Sequence, residues 1–188
     1  TIGRLSPAEE FSRKVKDILV GLGFQEMMYN YLGSKKEYVD NMHVSGEDAV
    51  FIANPMSENY EVIRPSILPS LLESESVSGH AVYPHNIFAV GKVTGKDSSD
   101  NSGTKTKNCL GFFSADVQKT YNDAAAYIQT LMYFLRKDYT LAPVENDPRF
   151  IPGRAAYVVY KDKIAGVFGE THPQVLESWG CSMPSIMA

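Results

Sequence analysis

The sequence predicts an α+β fold in which an antiparallel β-sheet is flanked by helices, and two observations support the prediction. Two long segments, residues 7–22 and 120–137, carry apolar residues at helical spacing. The short apolar segments between and after them are separated by polar turns and do not alternate regularly with helices, which favours antiparallel strands with helices on one side. At 188 residues, the chain fits one domain spanning residues 1–188.

The composition is that of a globular protein with no general affinity for nucleic acid. Hydrophobic residues make up 44% and charged residues 21%, and no apolar run approaches the roughly 20 residues of a membrane helix. The net charge of -4 gives no overall attraction to phosphate backbones. Two cysteines far apart and an N-terminus without a signal pattern predict a reducing, cytoplasmic location without membrane contact.

The first helix has the clearest local signals. Ser6 is a good N-cap residue, Pro7 suits the first helical position, Glu9 follows three residues after the serine, and Gly23 ends the pattern. A strand is expected next, at 24–32. The apolar face of the helix consists of Phe11, Val15, Ile18, Leu19 and Leu22.

The same criteria predict the remaining elements. Ser34 and Glu37 form a second capping pattern at the start of a short helix, and the polar segment 94–107 is expected to be a mobile hairpin loop. Further helices are predicted at 66–80, 120–137 and 172–179, and further strands at 49–53, 86–93, 109–115, 139–141, 155–160 and 164–168.

The sequence offers no independent catalytic or metal-binding motif. It has no glycine-rich phosphate loop with the required lysine, and its four histidines lack metal-ligand spacing. Glu73 and Glu75 are two residues apart on a predicted helix and do not face each other, so we expect solvated side chains there and no acid/base pair. His172, before Pro173, is interpreted as a capping element.

A succession of segments resembles the beta subunit family of phenylalanyl-tRNA synthetase, in its archaeal and eukaryotic form. The resemblance covers nearly the whole chain, with small departures at Ala89, where an acidic residue is common, and Gln174, where glutamate is common. In order, the segments are NPMSENYEVIRPSILPSLLES, NIFAVGKV, LGFFSADV, YFLRKDYTL, FIPGRAA and GVFGETHPQVLESWG.

The resemblance implies a fold like the catalytic core of class II aminoacyl-tRNA synthetases, in a module that does not itself form aminoacyl adenylate. It implies an α₂β₂ heterotetramer acting on tRNA, in which the alpha subunit holds ATP and phenylalanine. No cofactor is expected in this module, whereas ATP and magnesium belong to the parent enzyme. The first helix and strand resemble the first class II motif, so the apolar face from Phe11 to Leu22 is the candidate subunit interface.

Two positions resemble degenerate remains of an ATP site. Class II enzymes hold the α-phosphate with an Arg-x-Glu pair, but here Arg64 is followed two residues on by Ser66. A second arginine is expected on the strand and helix at 164–179, which contain no Arg or Lys. The sequence therefore predicts no catalytic residue in this chain. For Arg64, pairing with Glu58 or Glu61 and contact with the alpha subunit are equally open.

These observations lead to three hypotheses about the function of the chain. The preferred hypothesis is a non-catalytic scaffold that supports the alpha subunit. The alternatives are an autonomous adenylate-forming enzyme and an RNA-binding module that uses Lys105 and Lys107. The isolated chain is expected to form homodimers through its first helix, and a further strand is expected past Ala188. Editing and anticodon contacts are expected to lie outside these residues.

Overall fold

The computed structural model describes residues 3–188 and contains a seven-stranded and a three-stranded β-sheet. The helices are α1 (Pro7–Gly21), α2 (Leu68–Ser76), α3 (Tyr121–Leu135) and α4 (Pro173–Trp179), with a π-helical turn at Lys36–Asp40 and a 3₁₀ turn at Glu58–Tyr60. The strands are β1 (Gln25–Glu26), β2 (Leu32–Gly33), β3 (Val50–Phe51), β4 (Val62–Ile63), β5 (His85–Lys96), β6 (Thr104–Ala115), β7 (Thr140–Pro143), β8 (Phe150–Tyr160), β9 (Lys163–Thr171) and β10 (Ser185–Met187).

The large sheet has the order β1-β5-β6-β10-β9-β8-β7. All of its pairs are antiparallel apart from β1 with β5. The last strand, β10, lies at the centre, where it pairs with β6 on one side and β9 on the other. The α+β class with a mainly antiparallel sheet is therefore confirmed.

Helices cover both faces of this sheet, so the prediction that they lie on one side is wrong. Successive residues of a strand point to opposite faces, and Phe112 and Phe113, both fully buried, belong to two different core clusters. The Phe112 cluster includes α1 and α3, and the Phe113 cluster includes α2 and α4. The central strands are apolar on both faces for this reason.

The small sheet, ordered β2-β4-β3, packs beside the end of the β5–β6 hairpin. Its own core consists of Tyr38, Val39, Ala49 and Val62. The backbone N–H of Thr94 donates to the carbonyl of Arg64 at 3.0 Å, and that of Lys96 to the carbonyl of Asp48 at 2.9 Å. These two bonds join the small sheet to β5.

Local signals predicted most helix ends correctly. The Ser6 hydroxyl accepts from the N–H of Glu9, and Ser34 and Glu37 exchange both bonds of a capping box. Thr120 and Asp123 form another capping box at the start of α3. Gly180, with φ at 69°, ends α4 in the left-handed conformation that glycine adopts without strain.

Segment 94–107 forms the predicted hairpin, but its loop is shorter than predicted, because 94–96 and 104–107 belong to β5 and β6. The β5–β6 ladder continues to the pair Lys96 and Thr104, and only the turn between them lies outside it. Polar residues form strands here because the ladder and the contacts with the small sheet satisfy their backbone groups. The strand expected at 24–32 is also wrong, because only the ends of that segment, β1 and β2, are paired.

Among residues 3–188, no helix combines the length and the apolar character needed to cross a bilayer.

Candidate functional site

Arg64 lies where the small sheet meets the large one. It follows β4 directly, and its own N–H donates to the carbonyl of Tyr31 at 2.8 Å, while its carbonyl accepts from Thr94. Its side chain extends toward β5, and the residue is 2% exposed. The apolar strand β4 before Arg64 and Pro65 after it therefore position Arg64 as a buried cation.

Two of the three nitrogens of the Arg64 guanidinium donate within the chain. Its Nε and Nη2 groups both donate to the carbonyl of Lys92, at 3.2 and 2.9 Å, and its Cζ lies 4.9 Å from the ring centroid of Tyr31. Because Gly91 has no side chain, there is space for the guanidinium next to β5; a Cβ at this position would lie 2.6 Å from Nη2. Burial lowers the pKa of Arg64, and nearby tyrosines, Tyr38 first, oppose the shift.

The predicted pairing of Arg64 with Glu58 or Glu61 is wrong. The Glu61 carboxylate instead accepts from the backbone N–H of Lys35 at 3.0 Å, and no salt bridge of Arg64 is found within residues 3–188. A carbonyl acceptor and an aromatic face both stabilise the charge of a buried guanidinium. This arrangement avoids the desolvation of a second charged group.

Ser66 is a local capping residue. Its hydroxyl accepts from the N–H of Leu68 at 3.3 Å, at the start of α2. The position therefore supplies no carboxylate to orient Arg64. Because Arg64 is buried and its Nε and Nη2 donors bind a backbone carbonyl, these two residues do not present an open fork for the α-phosphate of ATP.

Two arginines of the β8 region, Arg149 and Arg154, are also paired with carboxylates. Arg154 on β8 donates to Glu170 at 2.7 Å, and the other carboxylate oxygen of Glu170 accepts from the N–H of Tyr121 at 2.8 Å. Arg149 pairs with Asp147 through a bidentate contact. These contacts connect β8, β9 and the start of α3, and they do not form an open phosphate-binding fork.

Glu75 is the most buried carboxylate and was missed by the sequence analysis, which expected it to be solvated. It is 4% exposed, and its oxygens lie 3.0 Å from the Tyr83 hydroxyl and 2.8 Å from His85 Nδ1. Glu75 lies four residues after Leu71, on the buried face of α2. That spacing was the available signal, whereas Glu73 on the same helix is exposed as expected.

The Glu75 cluster shifts the pKa of its neighbours. Burial first, and then the hydrogen bond to Glu75, raises the pKa of Tyr83. Burial, with a smaller effect of Glu75, raises the pKa of Cys181 to about 12, so this thiol is protonated and weakly nucleophilic at neutral pH. Tyr83 and His85 also stack with ring centroids 4.0 Å apart. The cluster is a packed connection between α2, β5 and the segment after α4.

His172 is a capping residue, as predicted. Its Nδ1 accepts from the N–H of Gln174 at 3.2 Å at the start of α4. Within residues 3–188, no group of three or more His, Cys, Asp or Glu side chains is arranged to hold a metal ion.

The predicted interface on α1 needs correction. Val15 and Leu19 are 6% and 1% exposed and lie in the core formed with α3 and the sheet, and Ile18 and Leu22 are partly buried in the same cluster. Helix α3 covers this face, which the sequence pattern could not show. Of the five predicted residues, only Phe11, at 49% exposure, presents a large surface.

A large cleft was not anticipated by the sequence analysis. It has a volume of about 710 Å³ and lies between the small sheet and α2, with tyrosine, glutamate and serine side chains in its walls. The Tyr29 hydroxyl lies 2.8 Å from the Ser74 hydroxyl. Burial, followed by the charge of Glu37, raises the pKa of Glu73 at its wall. Among residues 3–188, no Lys, Arg or His side chain lines this cleft.

Comparison with known proteins gives one consistent result. The whole chain, residues 1–188, matches the family model described as "Phenylalanyl tRNA synthetase beta chain CLM domain". It is 42% identical over 184 residues to the phenylalanine–tRNA ligase beta subunit of Borrelia recurrentis, covering 98% of this chain and 32% of that protein. The corresponding subunit of Borreliella burgdorferi is 45% identical, with 97% and 32% coverage.

Solved structures show the same fold. Two structures of pyrrolysyl-tRNA synthetase from Desulfitobacterium hafniense match all of this chain and 66% and 67% of theirs, with TM-scores of 0.79 and 0.80 at 14% and 13% identity. The large antiparallel sheet with helices on both faces is thus the fold of a class II synthetase catalytic domain. The chain spans about a third of the length of the curated relatives it matches. By its sequence, this chain belongs to the CLM domain family of the phenylalanyl-tRNA synthetase beta chain.

Proposed function

We propose that this chain is a non-catalytic core module of a phenylalanine–tRNA ligase beta subunit, which supports the alpha subunit that joins phenylalanine to its tRNA with ATP. The observation that carries the proposal is the internal use of Arg64. Its Nε and Nη2 groups donate to the Lys92 carbonyl, and its guanidinium lies over the Tyr31 ring. An adenylate-forming site needs such a cation free to stabilise phosphate oxygens in the transition state.

Two further features support the scaffold role. Arg154 on β8 and Arg149 just before it are both paired with carboxylates within the chain. Removing one preorganised donor from an active site typically costs about 3 kcal/mol of transition-state stabilisation. A site without either phosphate-binding arginine would therefore be slower by several orders of magnitude.

The test is ATP–pyrophosphate exchange with phenylalanine, measured on the purified chain and on the assembled ligase. We expect no exchange above background for the chain alone and robust exchange for the assembled enzyme. Phenylalanine-dependent exchange by the chain alone would establish the autonomous enzyme and defeat the scaffold proposal. The assembled ligase serves as the positive control for reagents and substrate.

The partners are proposed with the function: the alpha subunit, a second beta subunit in an α₂β₂ tetramer, and tRNA in the assembled enzyme, in the cytoplasm. ATP and magnesium would be bound by the parent enzyme and not by this chain. In the described residues, large apolar side chains remain exposed on α1 and α3, where a partner could cover them: Phe11, Val20, Tyr133 and Phe134. Exposed aromatic residues of this kind are enriched at subunit interfaces.

The interface proposal is tested with Phe134→Glu and, as control, Lys137→Glu near the end of the same helix. We expect the phenylalanine variant to weaken association with the alpha subunit in analytical ultracentrifugation and the lysine variant to change it less. Equal, full association of both variants would exclude this surface. The same experiment without the alpha subunit tests whether the isolated chain forms a homodimer.

The RNA-binding alternative gains little support from the geometry. Lys105 lies 3.5 Å from the carboxylate of Asp97, and Asp100 occupies the same turn, so the end of the β5–β6 hairpin carries mixed charge. A steep salt dependence of tRNA binding by the isolated chain, reduced by Lys105→Ala and Lys107→Ala, would favour it.

The assignment to the archaeal and eukaryotic form of the subunit also remains a proposal. It rests on the segments quoted above, whereas the relatives named here are bacterial. A sequence tree of bacterial, archaeal and eukaryotic beta subunits would test it. Placement of this chain on a branch without archaeal and eukaryotic subunits would contradict it.

A further inference from the structure

The outer face of α2 forms one wall of the cleft beside the small sheet. Ser70, Glu73, Ser74 and Val77 follow the i, i+3, i+4, i+7 spacing of one helical face, and all four line the cleft. Arg64 does not line it. The cleft is therefore separate from the positions that resemble an ATP site.

The cleft is acidic and contains no balancing cation. Glu73 on α2 and Glu37 on the π-helical turn both line it, whereas Lys35 and Lys36 do not. Burial and then the charge of Glu37 raise the pKa of Glu73, and no cationic group of residues 3–188 counters this effect. Two carboxylates that repel each other in a partly enclosed site attract a cation.

Both carboxylates keep oxygens available for a ligand. Glu37 Oε2 accepts from the N–H of Ser34 at 3.0 Å, which holds this carboxylate in place. In the described part of the chain, Glu37 Oε1 and both carboxylate oxygens of Glu73 have no hydrogen-bond or salt-bridge partner. These oxygens can accept from a cationic donor.

Buried hydroxyl groups give a second, independent indication of a ligand. Tyr38 and Ser70 are 6% and 3% exposed, and both line the cleft. Within residues 3–188, the Tyr38 hydroxyl has only Ser70 as a hydrogen-bond partner, and the Tyr29 hydroxyl pairs with that of Ser74 at 2.8 Å. A pair of hydroxyls has two protons and uses only one between its oxygens. Each pair therefore has one donor left for an acceptor on a ligand.

The rim of the cleft is apolar and exposed. Met28 and Val77 line it and are 92% and 71% exposed, and Tyr60, at 47%, adds an aromatic ring. The volume of about 710 Å³ is typical of sites that enclose a small ligand or a large side chain. A cationic group with apolar neighbours would match both the walls and the rim.

We propose that this cleft binds an arginine side chain from an extended segment of a protein partner. The guanidinium donates to the carboxylates of Glu37 and Glu73, and backbone carbonyls of the segment accept from the remaining hydroxyl donors. Arginine fits better than lysine because its planar group binds carboxylates through two donors, stacks on aromatic rings and is weakly hydrated. A peptide also supplies carbonyl acceptors, which a free polyamine lacks. The proposal goes beyond the scaffold role and does not depend on it.

The test is an NMR titration of the whole, isotope-labelled chain with the peptide Ac-Leu-Arg-Leu-NH2. Binding is followed at the backbone amides of Glu37, Glu73 and Val77. The matched peptide has citrulline in place of arginine, which keeps the shape and removes the charge. A lysine peptide and spermidine separate arginine from other cations.

Two variants of the chain complete the experiment. Glu73→Gln removes one charge from the cleft. Glu177→Gln changes an exposed glutamate on α4 that does not line the cleft, and it serves as the control. Unchanged amide shifts outside the substituted regions show that both variants are folded.

We expect saturable shifts at the cleft amides with the arginine peptide. The citrulline peptide, the lysine peptide and spermidine should each bind at least about fivefold more weakly, and Glu73→Gln should weaken binding of the arginine peptide by a similar factor. Glu177→Gln should bind within about twofold of the wild type.

Three results would overturn the proposal. They are no saturable binding of the arginine peptide up to about 10 mM, equal binding of the arginine and citrulline peptides, and full binding by Glu73→Gln. Equal binding of the lysine peptide or of spermidine would assign the cleft to cations in general and would also overturn it.

Discussion

Replacing Arg64 with methionine tests whether this residue is part of the structure or is held for a ligand. Methionine keeps much of the apolar stem but removes both donors to the Lys92 carbonyl and the cation above the Tyr31 ring. If Arg64 is structural, the isolated chain should lose stability even when no ATP, tRNA or alpha subunit is present.

The magnitude follows from these contacts. A hydrogen bond from a charged donor contributes about 1.5–3 kcal/mol, and a buried cation–π contact adds about 1 kcal/mol. Relief of the desolvation of Arg64 offsets part of this, so we expect a loss of about 3 kcal/mol of unfolding free energy. For a domain of this size, the melting temperature should fall by roughly 6–12 °C.

The assay is urea unfolding followed by tryptophan fluorescence and circular dichroism, with Arg13→Met as the matched control. Arg13 makes an exposed pair with Glu9 within α1, worth about 0.3–0.5 kcal/mol. Arg64→Lys should lie between the wild type and Arg64→Met, because lysine keeps the charge but loses the planar fork. If Arg64→Met and Arg13→Met were equally stable within about 0.5 kcal/mol, a structural role for Arg64 would be refuted.

Three further predictions concern packing and titration. Gly169→Ala should lower the unfolding free energy by about 3 kcal/mol in urea unfolding, since a Cβ there would lie 2.5 Å from a backbone oxygen. Gly166→Ala on the same strand meets nothing within 4 Å and should change the unfolding free energy little. Similar values for both variants would contradict this packing. Glu75→Ala should cost about 3 kcal/mol of unfolding free energy, because it leaves the partly buried donors of Tyr83 and His85 without their partner. Glu73→Ala, at an exposed position, should stay within about 0.5 kcal/mol, and equal effects would show that the Glu75 cluster is not stabilising. The Cys181 thiol has a pKa raised to about 12, above the value of about 8.5 in unfolded chains, so the native state binds more protons at alkaline pH. The unfolding free energy should therefore fall as the pH rises above about 8.5. Cys181→Ala should lose less stability than the wild type between pH 7 and pH 10, and an unchanged pH dependence would exclude this contribution.

Much of the fold could be predicted because its signals are local. The caps at Ser6 and Ser34 depend on residues three positions apart, so they could be predicted directly from the sequence. The hairpin between β8 and β9 is similarly local, with positive φ angles at Lys161 and Asp162. The α+β class followed from the order of these elements.

The candidate site was less predictable because its contacts join distant segments. The pairing of Arg64 with Lys92 spans 28 residues, and neither residue type indicates a bond to a backbone carbonyl. The depth of Val15 and Leu19 depends on the helix that covers them, α3, more than 100 residues later. An apolar helical face has the same pattern whether its own core or a partner subunit covers it.

The sequence by itself determined the helix starts, the strand-rich character and the resemblance to a synthetase beta chain. These depend on side chains within a few residues of one another or on the order of segments along the chain. Only the tertiary structure decided that Arg64 binds a backbone carbonyl, that Glu75 is buried, and that β10 enters the sheet between β6 and β9. Burial and pairing are properties of surfaces brought together by folding, and the same residues would have different partners in another arrangement of the same elements.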